Sequence, residues 1–348
     1  MHSSVTLTWP GKTSLASGVI SGNACVVGVL RSAVWSDDTG HLWAGDNVAV
    51  MRELALSETA QVSLAYLDPP YLTQRTFETS ARAVGGVSTA FDDHWESRAE
   101  YLKCLAERLV AVRDLLAPWG CVVIHVDPKT SHYVRVLADK IFGEQNFVSE
   151  IIWRYRRWPS KQQNFQRVHD CLLRYRKDAS VPGRWTQLYE PLAASTQATW
   201  GDRKQLARFD GAGKRVCSSS TSAPSPGVPM GDVWDIGVIA PVAKERTGYP
   251  TQKPEALLER LLTSLTLPGD LVLDPYAGSG TTLAVSAKLG RRYWGIDKSE
   301  VALATAGARL SSMVSAPPTS ERRLRAAQAP SEQTQIAPKR PSRSRRAV

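Results

Sequence analysis

The 348-residue sequence predicts an α/β fold, a doubly wound and mainly parallel sheet with helices on both faces. Three observations carry this expectation. Short apolar runs alternate along the chain with longer stretches of helical spacing. Two of the runs end in an aspartate at the point where such sheets place their ligands, Asp68 after residues 62–67 and Asp274 after residues 271–273. The second continues into a glycine loop, Ala277-Gly278-Ser279-Gly280, that opens a helix near Thr281.

The elements follow in order. Residues 41–44 read as a short strand and 47–56 as a helix. After the buried strand 62–67, residues 72–94 form a polar, glycine-containing loop of the kind that covers active sites. Helical spacing returns over 96–116, and 120–126 reads as a buried strand. A helix over 131–142 leads to a strand over 147–153, with 171–176 as an antiparallel neighbour. Residues 184–233 are rich in Ser, Pro, Gly and Thr and show little periodicity. A helix over 254–267 feeds the strand before Asp274, and 292–297 reads as the next strand, ending in Asp297.

Composition sets bounds. With 43% hydrophobic and 22% charged residues, the chain supports one large domain with an insertion, or two domains. A net charge of +10 suits a polyanionic partner. From Glu321 onward there are eight Lys or Arg against two acids, so about +6 of that charge lies in a Pro-, Ser- and Arg-rich tail, read as a solubilising extension without a fixed fold. The five cysteines include no Cys-x-x-Cys pair, which argues against a zinc site and fits a reducing, cytoplasmic compartment. Residues 15–34 are mildly apolar but are broken by Ser17, Ser21, Gly22 and Asn23, a poor signal peptide and a poor membrane span.

Chemistry concentrates in two motifs. In Asp68-Pro69-Pro70-Tyr71 a carboxylate ends a strand, two prolines stiffen the turn and leave its carbonyls as acceptors, and Tyr71 adds a flat aromatic face. Carboxylate, carbonyl and ring together suit an amino group on a planar base. In the second motif Gly278 and Gly280 allow a ligand close to the backbone, and Asp297 follows roughly twenty residues on, where a Rossmann-type unit holds a ribose hydroxyl. The third glycine of the dinucleotide fingerprint is Leu283, so a nicotinamide cofactor is disfavoured and a smaller adenosine-containing cofactor fits better. Between Arg154 and Lys177 there are eight Lys or Arg and one acid, interleaved with Trp153, Tyr155, Trp158, Phe165 and Tyr175, a pattern suited to phosphates and bases.

Taken together, these motifs resemble those of beta-class DNA amino-methyltransferases, the N6-adenine and N4-cytosine enzymes that use S-adenosylmethionine. The resemblance covers residues 41–310 and includes Gly45-Asp46-Asn47, Phe91-Asp92-Asp93-His94-Trp95, Ile124-His125-Val126-Asp127 and Tyr249-Pro250-Thr251-Gln252-Lys253-Pro254. It implies a Rossmann-like sheet of seven strands, the last antiparallel, in circularly permuted order with an inserted target-recognition region. The implied organisation is an N-terminal extension (1–40), a catalytic half (41–153), a recognition region (154–245), a cofactor half (246–313) and a basic tail (314–348). The implied catalytic residues are Asp68, Pro69, Pro70 and Tyr71, acting on a base flipped out of double-stranded DNA. Asp274, Tyr276, Ala277, Gly278, Gly280 and Thr281 would hold the methionine part of the cofactor, Asp297 its ribose, and Thr251, Gln252, Lys253 and Pro254 would close over the methionine end. Lys253 serves either that purpose or the solvation of a helix start, and Asp46 either approaches the cofactor or caps the helix from Asn47. Asp127 reads as a cap or loop residue. Arg154, Arg156, Arg157, Lys161 and Arg167 are the expected DNA contacts, and Arg203, Lys204, Arg208, Lys214 and Arg215 are candidates for phosphate or guanine. Aspartate at the first motif position leans to adenine in this family. The expected partners are DNA and, in a restriction-modification pair, a restriction endonuclease, with no metal, no membrane and a monomer or homodimer.

Overall fold

The computed structural model describes residues 33–57, 61–79, 88–158, 161 and 163–314. The N-terminal apolar stretch up to residue 32 and the basic tail lie outside the described residues, as do residues 80–87 of the long loop.

Nine strands form one sheet. In chain order they are β1 (Trp35–Ser36), β2 (Gly40–Ala44), β3 (Val62–Leu67), β6 (Leu116–Val126), β7 (Phe147–Arg154), β8 (His169–Arg176), β13 (Val233–Asp235), β14 (Leu271–Asp274) and β15 (Arg292–Asp297). Across the sheet the order is β1-β2-β15-β14-β3-β6-β8-β7-β13, and β8 runs antiparallel to both β6 and β7. The seven strands from β2 to β7 carry the expected arrangement. The sheet is wider than expected by one short strand at each edge, β1 and β13, of two and three residues. Segments that short carry no periodicity to read. β8 lies within the sheet, so residues 169–176 are part of the central scaffold and not of a separate recognition region.

Helices α1 (Asn47–Ser57), α2 (Arg98–Leu115) and α3 (Ser131–Phe142) cover one face. Tyr101, Leu105, Leu109 and Val112 of α2 recur on one stripe and pack with Met51 and Leu137 against Ala65, Leu67, Val122 and Ile124. Helix α2 starts where Ser97 Oγ accepts from the Glu100 amide at 3.1 Å, the Ser-x-x-Glu signature of a capped end. The opposite face of β3, Leu64 and Tyr66, packs with Val123, Leu172 and Val272 beneath α5 (Glu255–Leu265) and α6 (Thr281–Lys288). Alternation along the strands thus feeds two cores. Helix α7 (Glu300–Val314) completes the second layer, with Ala306 and Leu310 against Leu42 and Tyr293.

The long loop after β3 is more ordered than its polar composition predicts. It contains a hairpin of β4 (Thr76–Thr79) and β5 (Ser88–Asp92), in which the Phe77 and Phe91 rings stack at 4.6 Å. The segment 184–233 also forms a hairpin, β10 (Arg203–Phe209) with β11 (Arg215–Pro224), beside a short helix α4 (Ala194–Trp200) and the paired β9 (Tyr189–Glu190) and β12 (Val228–Pro229). These strands pair with each other and not with the large sheet, so the period-2 burial that marks a half-buried strand is missing. No helix among the described residues is long and apolar enough to cross a membrane.

Candidate active site

β14 and β3 are parallel neighbours. The helix after β14, α6, leads to β15 on one side, and the helix after β3, α2, leads to β6 on the other. The winding therefore reverses between them, and a crevice opens outside their carboxyl ends. Asp68 follows β3, Asp274 ends β14 and Asp297 ends β15, so three carboxylates converge on it. The crevice is a cavity of about 680 Å³, walled by these three acids, Tyr71, Tyr249 and Lys253.

The turn at Asp68 is held from two sides. Tyr71 donates its hydroxyl to Asp68 Oδ1 at 2.6 Å, and the Lys253 ammonium pairs with Oδ2. Beyond the turn the backbone takes left-handed conformations at Leu72 (φ 58°) and Gln74 (φ 56°), which cost free energy in side-chain-bearing residues. Asp93, only 1% exposed, offsets that cost. Its carboxylate accepts from the amides of Tyr71 (3.2 Å), Leu72 (3.1 Å) and Thr73 (2.7 Å), the Thr73 hydroxyl (2.6 Å) and the Trp95 indole (2.9 Å). Pro69 and Pro70 line the cavity between these anchors.

The glycine loop is fastened to the two neighbouring acids. Asp274 Oδ1 accepts from the Tyr276 amide at 2.9 Å, and Asp297 Oδ2 from the Gly278 amide at 2.8 Å. Ala277 donates its amide to the Ile296 carbonyl at 3.0 Å, which locks the loop to the end of β15. Gly278 (φ 50°) and Gly280 (φ 72°) are both left-handed. A Cβ on Gly280 would lie 2.8 Å from the Ala306 Cβ, so helix α7 passes too close for any side chain there. Burial pushes the Asp274 carboxyl up to about 7, reinforced by the charges of Asp68 and Asp297 and opposed by hydrogen bonds from Thr282 and the Tyr276 amide. Burial also raises Asp297 against its backbone hydrogen bonds.

The segment before α5 turns out to serve the acids. Gln252 accepts from the Thr247 amide and hydroxyl (both 2.8 Å) and donates to the Glu245 carbonyl (2.6 Å), so it shapes its own loop. Thr251 is left-handed (φ 57°), Pro254 caps α5, and Thr281 donates its hydroxyl to the Lys253 carbonyl at 3.2 Å. Lys253 is thereby aimed at Asp68, a contact that neither sequence reading of this lysine foresees. Asp46 does cap α1, its Oδ1 accepting from Val48 (3.0 Å) and Ala49 (3.2 Å), while Oδ2 takes Arg108 at 2.8 Å on the cavity wall. Asp127 takes the loop role: its Oδ1 accepts from the Lys129 and Thr130 amides in the turn before α3, whose N-cap is Thr130.

The five expected DNA contacts are all exposed, on one rim near the end of β7. Two are engaged within the chain: Arg154 forks onto Asp235, and Arg167 meets Asp127 Oδ2 at 2.7 Å. Arg157 donates to the Tyr155 hydroxyl at 3.3 Å, and Arg156 and Lys161 lie on the surface. Of the interleaved aromatics, Trp153 and Tyr175 are core residues because β7 and β8 are sheet strands, and Tyr155, just past β7, is buried with Trp153 and Ile236 and donates to Asp170. Trp158 and Phe165 are the exposed pair, at 92% and 98%. Sequence reasoning missed the role of Asp93 and the places of Tyr66 and Tyr249 on the cavity wall. Asp93 gave no signal but its position, because it meets its partners only when the loop folds back.

A family model described as DNA methylase matches residues 62–307. The chain is 28% identical over 318 residues to the type II methyltransferase M.EcaI of Enterobacter cloacae, covering 76% of this chain and 67% of that protein. It is 26% identical over 258 residues to the DNA adenine methyltransferase YhdJ of Escherichia coli (strain K12), covering 73% and 76%. Among solved structures, the cytosine-N4-specific PvuII DNA methyltransferase shares the fold at a TM-score of 0.53 and 15% identity, covering 84% of this chain and 93% of that one.

Two substitutions test how the crevice is held. Asp93→Ala deprives five donors of their buried acceptor and is expected to cost on the order of 3 kcal/mol in urea denaturation, with faster hydrogen exchange at residues 71–73. Gly280→Ala is expected to destabilise by at least about 1 kcal/mol more than Gly290→Ala. Both glycines are left-handed (φ 72° and 71°), but a Cβ on Gly290 meets nothing within 4 Å. Equal losses would show that the approach of α7 is not what requires Gly280.

Proposed function

This chain belongs to the DNA methylase family, and we propose that it transfers a methyl group from S-adenosylmethionine to the N6 amine of an adenine turned out of duplex DNA. The observation that carries the reading is Asp68, an oriented carboxylate at the mouth of the cavity that also holds the Asp274–Gly280 loop.

The residues present fit the cofactor. Two left-handed glycines keep the loop free of side chains, and three carboxylates suit a ligand that carries a sulfonium, an ammonium and a ribose diol. S-adenosylmethionine supplies an electrophilic methyl group when bound. Asp297, with Gly278, Gly280, Thr281 and Ala277, would hold it, and Asp274 and Tyr276 would support that loop from beneath.

The rest is done by the chain's own groups. Asp68 accepts one hydrogen of the target amine and the Pro69 carbonyl the other, which favours a pyramidal nitrogen with its lone pair exposed. Each oxygen of Asp68 already receives one donor and keeps a second lone pair for this purpose. Tyr71 presents its ring to the base. Positioning and electrostatics then supply most of the acceleration. The exposed basic rim with Trp158 and Phe165 faces the duplex, a base must leave the stack to reach the crevice, and the work is cytoplasmic, beside a restriction endonuclease or alone. Adenine is favoured over cytosine by the aspartate at position 68 and by the named specificity of the YhdJ relative.

Expression in a host without DNA methylation, followed by nucleoside mass spectrometry, is expected to yield N6-methyladenine. N4-methylcytosine would keep the chemistry and move the substrate. Asp68→Ala is expected to lose methylation by at least roughly a thousandfold with DNA binding retained; an active variant would rule out the role given to Asp68.

Asp274 adds a pH dependence. It is neutral below about 7 and negative above, and only the negative form attracts a cation. Affinity for S-adenosylmethionine is therefore expected to rise between pH of about 6 and 8, by up to about tenfold per unit below the midpoint, then level off. Asp274→Asn flattens the profile in calorimetric titrations. For folding the sign is opposite: the folded chain holds this proton more tightly, so its stabilisation is lost as pH rises from about 4 to about 7.

A further inference from the structure

The cavity wall beside Asp68 continues into a chain of buried polar side chains that the steps above leave unused. Tyr66 lies on β3 two residues before Asp68 and lines the same cavity. Its hydroxyl is 2.7 Å from Nδ1 of His125 on β6. Nε2 of His125 lies 3.4 Å from Oδ2 of Asp170 on β8. Asp170 Oδ1 accepts from the Tyr155 hydroxyl at 3.1 Å, which leads to Arg157 on the basic rim.

His125 is fully buried in a strand whose other members, Val122, Val123, Ile124 and Val126, are apolar. The rings of Tyr66, Tyr71 and Trp153 surround it at 6.1, 6.0 and 5.5 Å. Packing alone would be served as well by leucine. A carboxylate only accepts, so the His125 proton belongs on Nε2, facing Asp170, and Nδ1 accepts from Tyr66. Nε2 is at ion-pair distance but makes no aligned hydrogen bond among the described residues, a contact that strengthens once the ring is charged. Burial pushes the Asp170 carboxyl up, but His125, the Lys253 charge and Tyr155 together bring it below its ordinary range, so it stays ionised. Burial, then the charges of Asp68, Asp274 and Asp170, hold the Tyr66 phenol well above its ordinary value, so Tyr66 passes a proton only as a neutral hydroxyl.

We propose that Tyr66, His125 and Asp170 form the relay that takes the surplus proton from the methylated amine. The proposal rests on the methyltransferase reading of the same site. As the amine lone pair forms the new N–C bond, the C–S bonding pair stays on sulfur, and the nitrogen is left with one proton too many. Asp68, already engaged by Lys253 and Tyr71, hands that proton on. The Tyr66 oxygen receives it while its own hydroxyl proton moves to His125 Nδ1. The product amine is neutral, and the imidazolium rests against Asp170 until product release opens the cavity and the proton returns through Tyr66 to water.

The groups that face His125 are Tyr66 from β3, Asp170 from β8, Trp153 from β7 and Tyr71 from the Asp68 turn, with Lys253 and Asp68 as the next charges. The test is the single-turnover rate at saturating cofactor and DNA, which removes the effect of Asp274 on binding, read in ordinary and in deuterated water. Tyr66→Phe, which removes a single oxygen, and His125→Gln are expected to lower the rate by roughly a hundredfold and to change the wild-type solvent isotope effect. Asp170→Asn is expected to slow the step less and to keep that effect. Thermal unfolding and cofactor binding establish that each variant is folded. In the ligand-free protein, ¹⁵N NMR is expected to find the His125 proton on Nε2. A wild-type rate and isotope effect in Tyr66→Phe, or a proton on Nδ1, overturns the relay while leaving the methyltransferase reading intact. A wild-type protein that methylates no amine on DNA removes the premise of both.

Discussion

The parallel pairing of β14 with β3 is the constraint on which the rest of the molecule depends. It brings the carboxyl ends of two strands, from opposite ends of the sequence, side by side, and each end carries an aspartate. With Asp297 from the next strand, three strand-end acids share one crevice, with the ammonium of Lys253 against Asp68 and that of Lys298 beside Asp297. Like charges at such a site cannot all ionise cheaply in a poorly solvated space. The fold responds in two ways. Lys253 compensates Asp68, and Asp274 holds its proton to about neutral pH.

Convergence would be of little use if the loops could drift. The turn after Asp68 and the loop before α5 both contain left-handed residues with side chains, Leu72, Gln74 and Thr251. Each is held by a polar anchor nearby: Asp93 gathers the first loop, and Gln252 closes the second. The two loops also meet, since the Thr79 hydroxyl donates to the Gly248 carbonyl at 2.9 Å. Local strain stored at these residues is thus spread over a small polar network. The same logic explains why the Asp-Pro-Pro-Tyr turn resists relaxing into an ordinary helix start: its amides are already committed to Asp93.

Much of this was legible in the sequence, for identifiable reasons. Buried strands such as residues 62–67 and 271–273 announce themselves by apolar continuity, and the acid after each is fixed by chain order alone. The amphipathic helices α2 and α3 are equally plain. What could not be read is whatever depends on a partner brought in by the fold. Asp93 looks like one more acid in a polar loop until the loop folds back on it. Lys253 could be assigned to a helix start because nothing in its neighbourhood of sequence points 185 residues back to Asp68. Trp153, Tyr155 and Tyr175 read like DNA-facing aromatics because alternating basic and aromatic residues look the same in or beside a sheet strand and in a binding loop; only the position of β8 between β6 and β7 separates them.

The charges of the molecule are sorted in space, and that sorting bears on how two ligands of opposite charge would be received. Asp68, Asp274 and Asp297 line the crevice, whereas Arg154, Arg156, Arg157, Lys161 and Arg167 are exposed outside its lining, three of them beside Trp158 and Phe165 in a second hollow. The Arg154–Asp235 pair is exposed on both sides and worth at most about 1 kcal/mol, so Arg154 is easily released. Arg167 is held more firmly, because its partner Asp127 is buried and would be left without its counter-charge. This separation of charge follows from the order of the strands: an aspartate follows β3 and closes β14 and β15, while β7 ends in Arg154.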